Sequence, residues 1–502
     1  MGTVRQQSII SVLFLMGSVL LGFFNKIPIG TKALTAAEIG AMGVLLATAS
    51  LFGIFAQVGI SSIVYRYFPF FKDEKGTKKG FLSFALIYPV FGLFIACMLI
   101  YLLQDFVIAQ YDFDGADGGT SKRLVTDLYY LAIPLVVILV FFDVLAAYSS
   151  SLMKSAAPIF FRDVFTKVLI TGLLLLCLYN YIDFFQFMVL LVGAYFCQLA
   201  GIAGYLYYHG QLSIGGKWDE EMMGKRGEMF QYGSFTMFSK GTNYLVSWID
   251  GAMVSAILGM QSAGIYYIFQ YFGLLTTLAS RALQPITLPL VAGGFKEQDM
   301  ERVEDVYKRT AMIQLIGGAL ILLGIFINLD NVVKLVPPEY APGAMVGIIV
   351  GMARLFDMST GVNGMIITNS KYYKLDLYFM LLLTGLTVLT NYYFIHKIGI
   401  VGAAIATALT AFIYNFGKWL FVKWKFNMQP FSWKTLWVLA IIIVTTIIGY
   451  YVPQMSNWYL DILVRSSIAT VVYSALILGT NVSPDINAAI KMVIGKMGLI
   501  KS

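Results

Sequence analysis

The chain has 502 residues, of which 59% are hydrophobic and only 12% charged, with a formal net charge of +8. At a mean hydropathy of +0.77 it lacks the charged surface that a soluble protein of this length needs. Its excess of cations sits in short polar breaks, which suits anionic lipid and not nucleic acid. Cys97, Cys177 and Cys197 lie in apolar runs as small buried hydrophobes, and His209 and His396 are far apart, so neither a disulfide framework nor a metal site is expected.

Taken in chain order, the apolar runs predict fourteen membrane spans, near 7–26, 40–62, 80–103, 124–149, 157–179, 182–208, 229–250, 262–285, 310–328, 343–368, 376–395, 398–420, 435–453 and 460–480. Each is close to the ~20 residues that cross a hydrocarbon core as a helix. The alternation of barrel strands is absent. The first run, behind Arg5, has no small-residue cleavage site and reads as a retained helix. Charge placement supports the count. With the amino terminus inside, 24 Lys and Arg fall in the inner breaks and tails, among them Arg66, Arg162 and Lys418, and six in the outer breaks. This places both termini in the cytoplasm. No break is long enough for a soluble domain.

Several charges fall within spans. Entry near 229 puts Lys240 about 17 Å deep, close to mid-bilayer. Lys167 and Arg354 are also near mid-depth, whereas Arg281, Asp143 and Arg66 lie nearer the cytoplasmic ends. A charge at mid-depth costs about 2.5–3.5 kcal/mol on an insertion scale, so it should face the bundle or a wet cavity. Asp357 follows Arg354 by three residues on the same helical face, which would also suit an intrahelical ion pair. Asp250 reads as a helix-end residue at the outer surface. Cations outnumbering carboxylates suit an anionic ligand such as a diphosphate, because charge-assisted hydrogen bonds are the strong ones. Asn243, Tyr244, Gln57, Gln270, Tyr271 and Asn363 could form a polar and aromatic wall for sugar. Burial of Asp357 or Asp143 could equip either to carry protons; no other cofactor is expected beyond possible H+ or Na+ coupling.

"YDFDGADGG" (111–119) carries a D-x-D as in some membrane glycosyltransferases, but no large outer domain accompanies it. Its calcium-loop pattern fails at Ala116 and Arg123, so it reads as a solvated acidic loop.

"TAAEIGAMGVLLATASLFGIFAQVGISS" from Thr35 and "MQSAGIYYIFQYFGLLTTLASRALQP" from Met260 share a small residue followed by Gly40 and Gly264, an uncharged helix, a basic residue with prolines, and a charged inner loop. Their separation, about six spans, predicts a parallel repeat about an axis along the membrane normal. The resulting division is 1–208 as an N-terminal lobe of six spans, 209–228 as a cytoplasmic linker, 229–424 as a C-terminal lobe, and 425–502 as two trailing spans and a tail. The fold class is an all-α integral membrane protein, its two six-helix lobes enclosing a central cavity.

This pattern resembles the multidrug/oligosaccharidyl-lipid/polysaccharide exporter superfamily, and within it the polysaccharide-exporter branch that flips O-antigen and capsule repeat units. The resemblance rests on 34–69, on "SWIDGAMVSAILGMQSAGIYYIFQ" (247–270) and on "IGIVGAAIATALTAFIYNFGKW" (398–419), and covers about 1–425. It implies translocation of a polyprenyl-diphosphate oligosaccharide from the inner to the outer leaflet of a bacterial cytoplasmic membrane, without enzymatic chemistry. Membrane lipid, a polysaccharide polymerase and glycosyltransferases are the implied partners. It also implies a cavity lined by the first, second, seventh and eighth spans, which favours Lys26, Lys240 and Arg281 over Lys167. The relative that flips the peptidoglycan precursor has an Arg-rich first span; here that span is cationic only at Lys26, which argues against that role. The alternatives are a cation-coupled drug antiporter of the same superfamily, which should show more midplane carboxylates than cations, and a membrane glycosyltransferase.

Overall fold

The computed structural model describes residues 14, 17–68, 79–111, 119–212, 215 and 224–488. Among them every regular element is a helix, and the core of the acidic loop, 112–118, lies outside them. Ten helices of the described residues are long and apolar enough to cross a membrane. The chain is a multi-pass membrane protein. Large apolar side chains point outward along these helices: Phe94 and Val471 are each 67% exposed and Leu389 69%, a surface that acyl chains solvate and water does not.

The four expected spans outside those ten are the first, fifth, seventh and eighth, and each carries a cation within its helix or an interrupted backbone. Much of the first lies outside the described residues, and its visible end is a π-helical stretch, Asn25–Gly30, that contains Lys26 and Pro28. The fifth is divided by a π-helical stretch, Phe160–Phe165. The seventh is one helix of 33 residues, Arg226–Leu258, diluted by Lys240 and its polar neighbours. The eighth is two helices, Met260–Leu275 and Leu278–Glu297.

Contacts divide the chain into two compact units, Met1–Gly264 and Ile265–Ser502. In the first, helix α1 (Ala36–Ala56) begins at a capping box: the Thr35 hydroxyl accepts from the Glu38 amide while the Glu38 carboxylate accepts from the Thr35 amide at 2.8 Å. It stops at Gln57. Val58 (φ 45°) and Gly59 (φ 72°) turn the chain, and α2 (Ile60–Tyr67) resumes the span. Gly59 is required twice over, by its left-handed backbone and because a Cβ there would overlap the Gly233 carbonyl. Helix α3 (Ala132–Ser151) packs on both pieces. The fifth span continues past its π turn as α4 (Thr166–Leu178), followed by α5 (Phe184–Tyr208) and α6 (Arg226–Leu258). Gly241 lets α6 lie against the Phe55 ring of α1. Asp250, expected at a helix end, is 2% exposed and lies eight residues before the end of α6, because the helix runs on to Leu258. Cys197, expected buried, is exposed on α5; Cys177 is buried and Cys97 half-buried.

The second unit holds α7 (Leu278–Glu297), α8 (Met300–Ile327), α9 (Ala344–Ser359), α10 (Asn363–Asn369), α11 (Lys374–Ile398), α12 (Ile400–Phe426), α13 (Trp433–Tyr451) and α14 (Trp458–Thr480). The expected span 343–368 is thus two helices, with Gly361 (φ 63°) in the turn between them. The trailing pair is fastened to α8. Arg465 of α14 donates to the Ile327 carbonyl at 3.1 Å and to the Val452 carbonyl at 2.6 Å, and pairs with Asp461 at 3.2 Å.

Candidate functional site

In the first unit, polar side chains from four spans meet around Asp143 of α3. The Gln57 amide, at the break between α1 and α2, donates to Asp143 Oδ2 at 2.7 Å. Gln57 is fixed from behind by the Ser61 hydroxyl, which donates to its Oε1 at 2.8 Å. Arg162, from the π-helical stretch, donates to Asp143 Oδ1 and lays its guanidinium over the Phe142 ring. Lys240 of α6 lies within electrostatic range of the same carboxylate. Lys240 is exposed, so its interaction with the cluster is electrostatic. One turn along α6, Tyr244 hydrogen-bonds Ser50 and stacks on Trp248. Asn243 donates back to the Ser239 carbonyl of its own helix at 2.9 Å and is exposed.

Lys167 anchors a second group between the fifth and first spans. Its ammonium donates to the Ser18 carbonyl at 3.0 Å and to the Ser18 hydroxyl at 2.6 Å, and its own carbonyl accepts from the Asn25 amide at 2.8 Å. Lys26, in the adjoining π-helical stretch, is close enough to Lys167 for the two cations to repel. Asp163 lies within electrostatic range of both Lys167 and Arg162. Charges thus run in sequence from Lys26 through Lys167, Asp163, Arg162 and Asp143 to Lys240.

The second unit brings a different set together. Lys418 of α12 is 5% exposed; its ammonium donates to Asp376 Oδ1 of α11 at 2.7 Å and contacts the Tyr414 hydroxyl. Asp357 of α9 lies within electrostatic range of Tyr414. Arg354 and Asp357 do not form the ion pair their spacing allows; Arg354 Nε is instead buried with no hydrogen-bond partner, as is Nδ2 of Asn363 at the start of α10. Gln270 is buried within Met260–Leu275. Tyr271 and Arg281, separated by the helix break after Leu275, are within electrostatic range of each other.

The first unit thus joins Gln57, Asp143 and Lys240 and links them through charge to Lys26 and Lys167. Arg354, Arg281, Gln270, Tyr271, Asn363 and Asp357 belong to the second. Two cations counted with the inner breaks lie in helix. Arg162 lies within the helical body of the fifth span, and Lys418 lies inside α12, two turns before its end. The π turn that carries Arg162 has no sequence signature. Lys418 could have been found by asking which cation of the twelfth span faces Asp376 across a helix hairpin.

No protein-family model matches the chain. Among curated proteins the chain is similar to the probable low-salt glycan biosynthesis flippase Agl15 of Haloferax volcanii, at 22% identity over 255 residues, 50% of this chain and 54% of that protein. The match spans about half the length of that relative. Among solved structures it is similar to the lipid II flippase MurJ in an inward closed conformation, with a TM-score of 0.72 and 15% identity over 93% of this chain and 98% of that one. It is also similar to an inward-facing multidrug resistance MATE family transporter of the MOP superfamily, with a TM-score of 0.64 and 13% identity over 84% and 98% of the two chains.

Proposed function

We propose that this chain, whose fold is that of MOP-superfamily transporters, is a flippase for an oligosaccharide linked by diphosphate to a polyprenol. In this reading it moves the lipid-linked glycan from the inner to the outer leaflet by alternating access, with both termini cytoplasmic and the charged inner loops holding its orientation. The observation that carries the proposal is Lys240, a cation midway along a membrane helix and beside Asp143. Such a charge is costly in a span and suited to phosphate. Lys26 set near Lys167 adds to this, because two like charges in a low-dielectric setting favour an anion beside them. The glycan flippase among the relatives supports the substrate class.

Within the first unit Lys167 serves as a further phosphate donor and Gln57, Asn243 and Tyr244 as sugar-facing groups; within the second, Arg281 and Arg354 are the candidate phosphate donors and Gln270, Tyr271 and Asn363 the candidate sugar-facing groups. An O-antigen, capsule or exopolysaccharide repeat unit in a bacterial inner membrane is the finer reading, with the polymerase and glycosyltransferases of that system as partners. The test is flipping of a polyprenyl-diphosphate oligosaccharide in proteoliposomes, comparing the unmodified protein with Lys240→Ala. A loss of tenfold or more in rate is expected. An unchanged rate removes Lys240 from the site. Absence of flipping together with cation-driven efflux of lipophilic dyes assigns the chain to the drug antiporters instead.

A further inference from the structure

We propose that Asp143 is an internal competitor of the substrate's phosphate: it engages the cations that phosphate needs, so that phosphate binds by displacing it. This rests on the flippase reading and names the residue that sets the site's affinity.

Both Asp143 oxygens are in use, Oδ2 by Gln57 at 2.7 Å and Oδ1 by Arg162, with Lys240 in electrostatic range. A forked guanidinium and an ammonium are the donors that would receive a phosphate. The side chains of Asp143 and Arg162 are 32% and 49% exposed, so neither is sealed inside the protein. The backbone points to the same place. Gln57 stands at the helix break that includes Val58 and Gly59, and Arg162 in the π-helical stretch Phe160–Phe165. Irregular backbone at membrane depth is tolerated where it lines a protein-enclosed or wet site, and π turns concentrate at functional sites. Here two such irregularities, on different spans, converge on one carboxylate.

The charges facing one another along this path are the cations Lys26, Lys167, Arg162 and Lys240 and the anions Asp143 and Asp163. A diphosphate diester brings two charges and several acceptor oxygens against the single charge of Asp143. The two anions repel at this range, so Arg162 and Lys240 pass to the phosphate and Gln57 is released from the break.

The experiment measures binding of inorganic pyrophosphate to the full chain in nanodiscs, for the unmodified protein and Asp143→Asn. Removing the competitor is expected to tighten binding about tenfold. Equal or weaker binding in Asp143→Asn, with the unmodified protein still binding, overturns this inference alone. Absence of binding by both overturns it together with the flippase reading. Should Asp143→Asn fail to fold, the unmodified protein decides: labelling of Asp143 by a hydrophilic carbodiimide, read by peptide mass spectrometry, rises with pyrophosphate if the carboxylate is released. Unchanged or reduced labelling overturns the inference.

Discussion

Gly40 and Gly264, the two residues that the sequence repeat sets in correspondence, pack backbone against backbone. A Cβ on Gly40 would overlap the Met260 carbonyl, and one on Gly264 would overlap the Ala36 carbonyl. Neither obstacle is a side chain that can turn away, so the helices must separate. Gly264→Ala is therefore expected to cost about 1–3 kcal/mol by overpacking. Gly204 on α5 has nothing within 4 Å of its would-be Cβ, and Gly204→Ala should be neutral or stabilising by up to ~1 kcal/mol through helix propensity. Thermal unfolding of the two purified variants checks the contrast; equal melting temperatures would refute the close contact.

Arg162 and Asp143 should be energetically coupled, but modestly. Each side chain is partly exposed, which screens the pair, so a double-mutant cycle of Arg162→Gln and Asp143→Asn is expected to return about 1 kcal/mol. A coupling near zero would mean that Asp143 is held by Gln57 alone.

The charges that composition makes conspicuous are those isolated in oily sequence, and this is why Lys240 could be read from its neighbours. Asparagine and tyrosine follow it at helical spacing, at 243 and 244, and Asp143 is within its electrostatic range. Arg162 could not be read so. It stands near the start of an expected span, where a cation normally marks the interface, and nothing in the local sequence announces the π turn that carries it. Lys418 looks like the first of a basic run that ends in Lys423 and Lys425, yet its helix continues to Phe426 and buries it against Asp376. The all-helical membrane fold was legible because twenty apolar residues have few other fates. Asp250 was misread because the polar residues before it suggested an end that the helix does not make.

The clamp between α14 and α8 predicts a large effect from a change remote from the cations. Asp461 and Arg465 are 2% and 6% exposed. Arg465→Met removes donors to Ile327 and Val452 and leaves Asp461 charged and buried, although Asn331 still donates to it. The expected cost is about 3–5 kcal/mol. Arg465→Met combined with Asp461→Leu should recover much of it, because no charge is then stranded. Urea or thermal unfolding of the pair measures this, and a double variant no better than the single would show that the carbonyl caps matter more than the charge.

Coupling separates the two carboxylates that could carry it. Asp143 is tied to Arg162 and Gln57. Asp357 has no ion-pair partner among the described residues and faces Tyr414, whose hydroxyl is already engaged by Lys418. Under the flippase proposal, Asp357 is therefore the carboxylate to test for proton coupling, since no ion pair holds it among the described residues. In proteoliposomes bearing a pH gradient, Asp357→Asn should remove the dependence of flipping on that gradient while leaving a residual, gradient-independent rate. The rate should be followed in both gradient directions, because an asparagine that merely damages folding lowers both equally. If the full gradient response survives in Asp357→Asn, the proton does not pass through this residue; the uncharged variant would then still bind substrate by its cations and the coupling step would lie elsewhere in the chain.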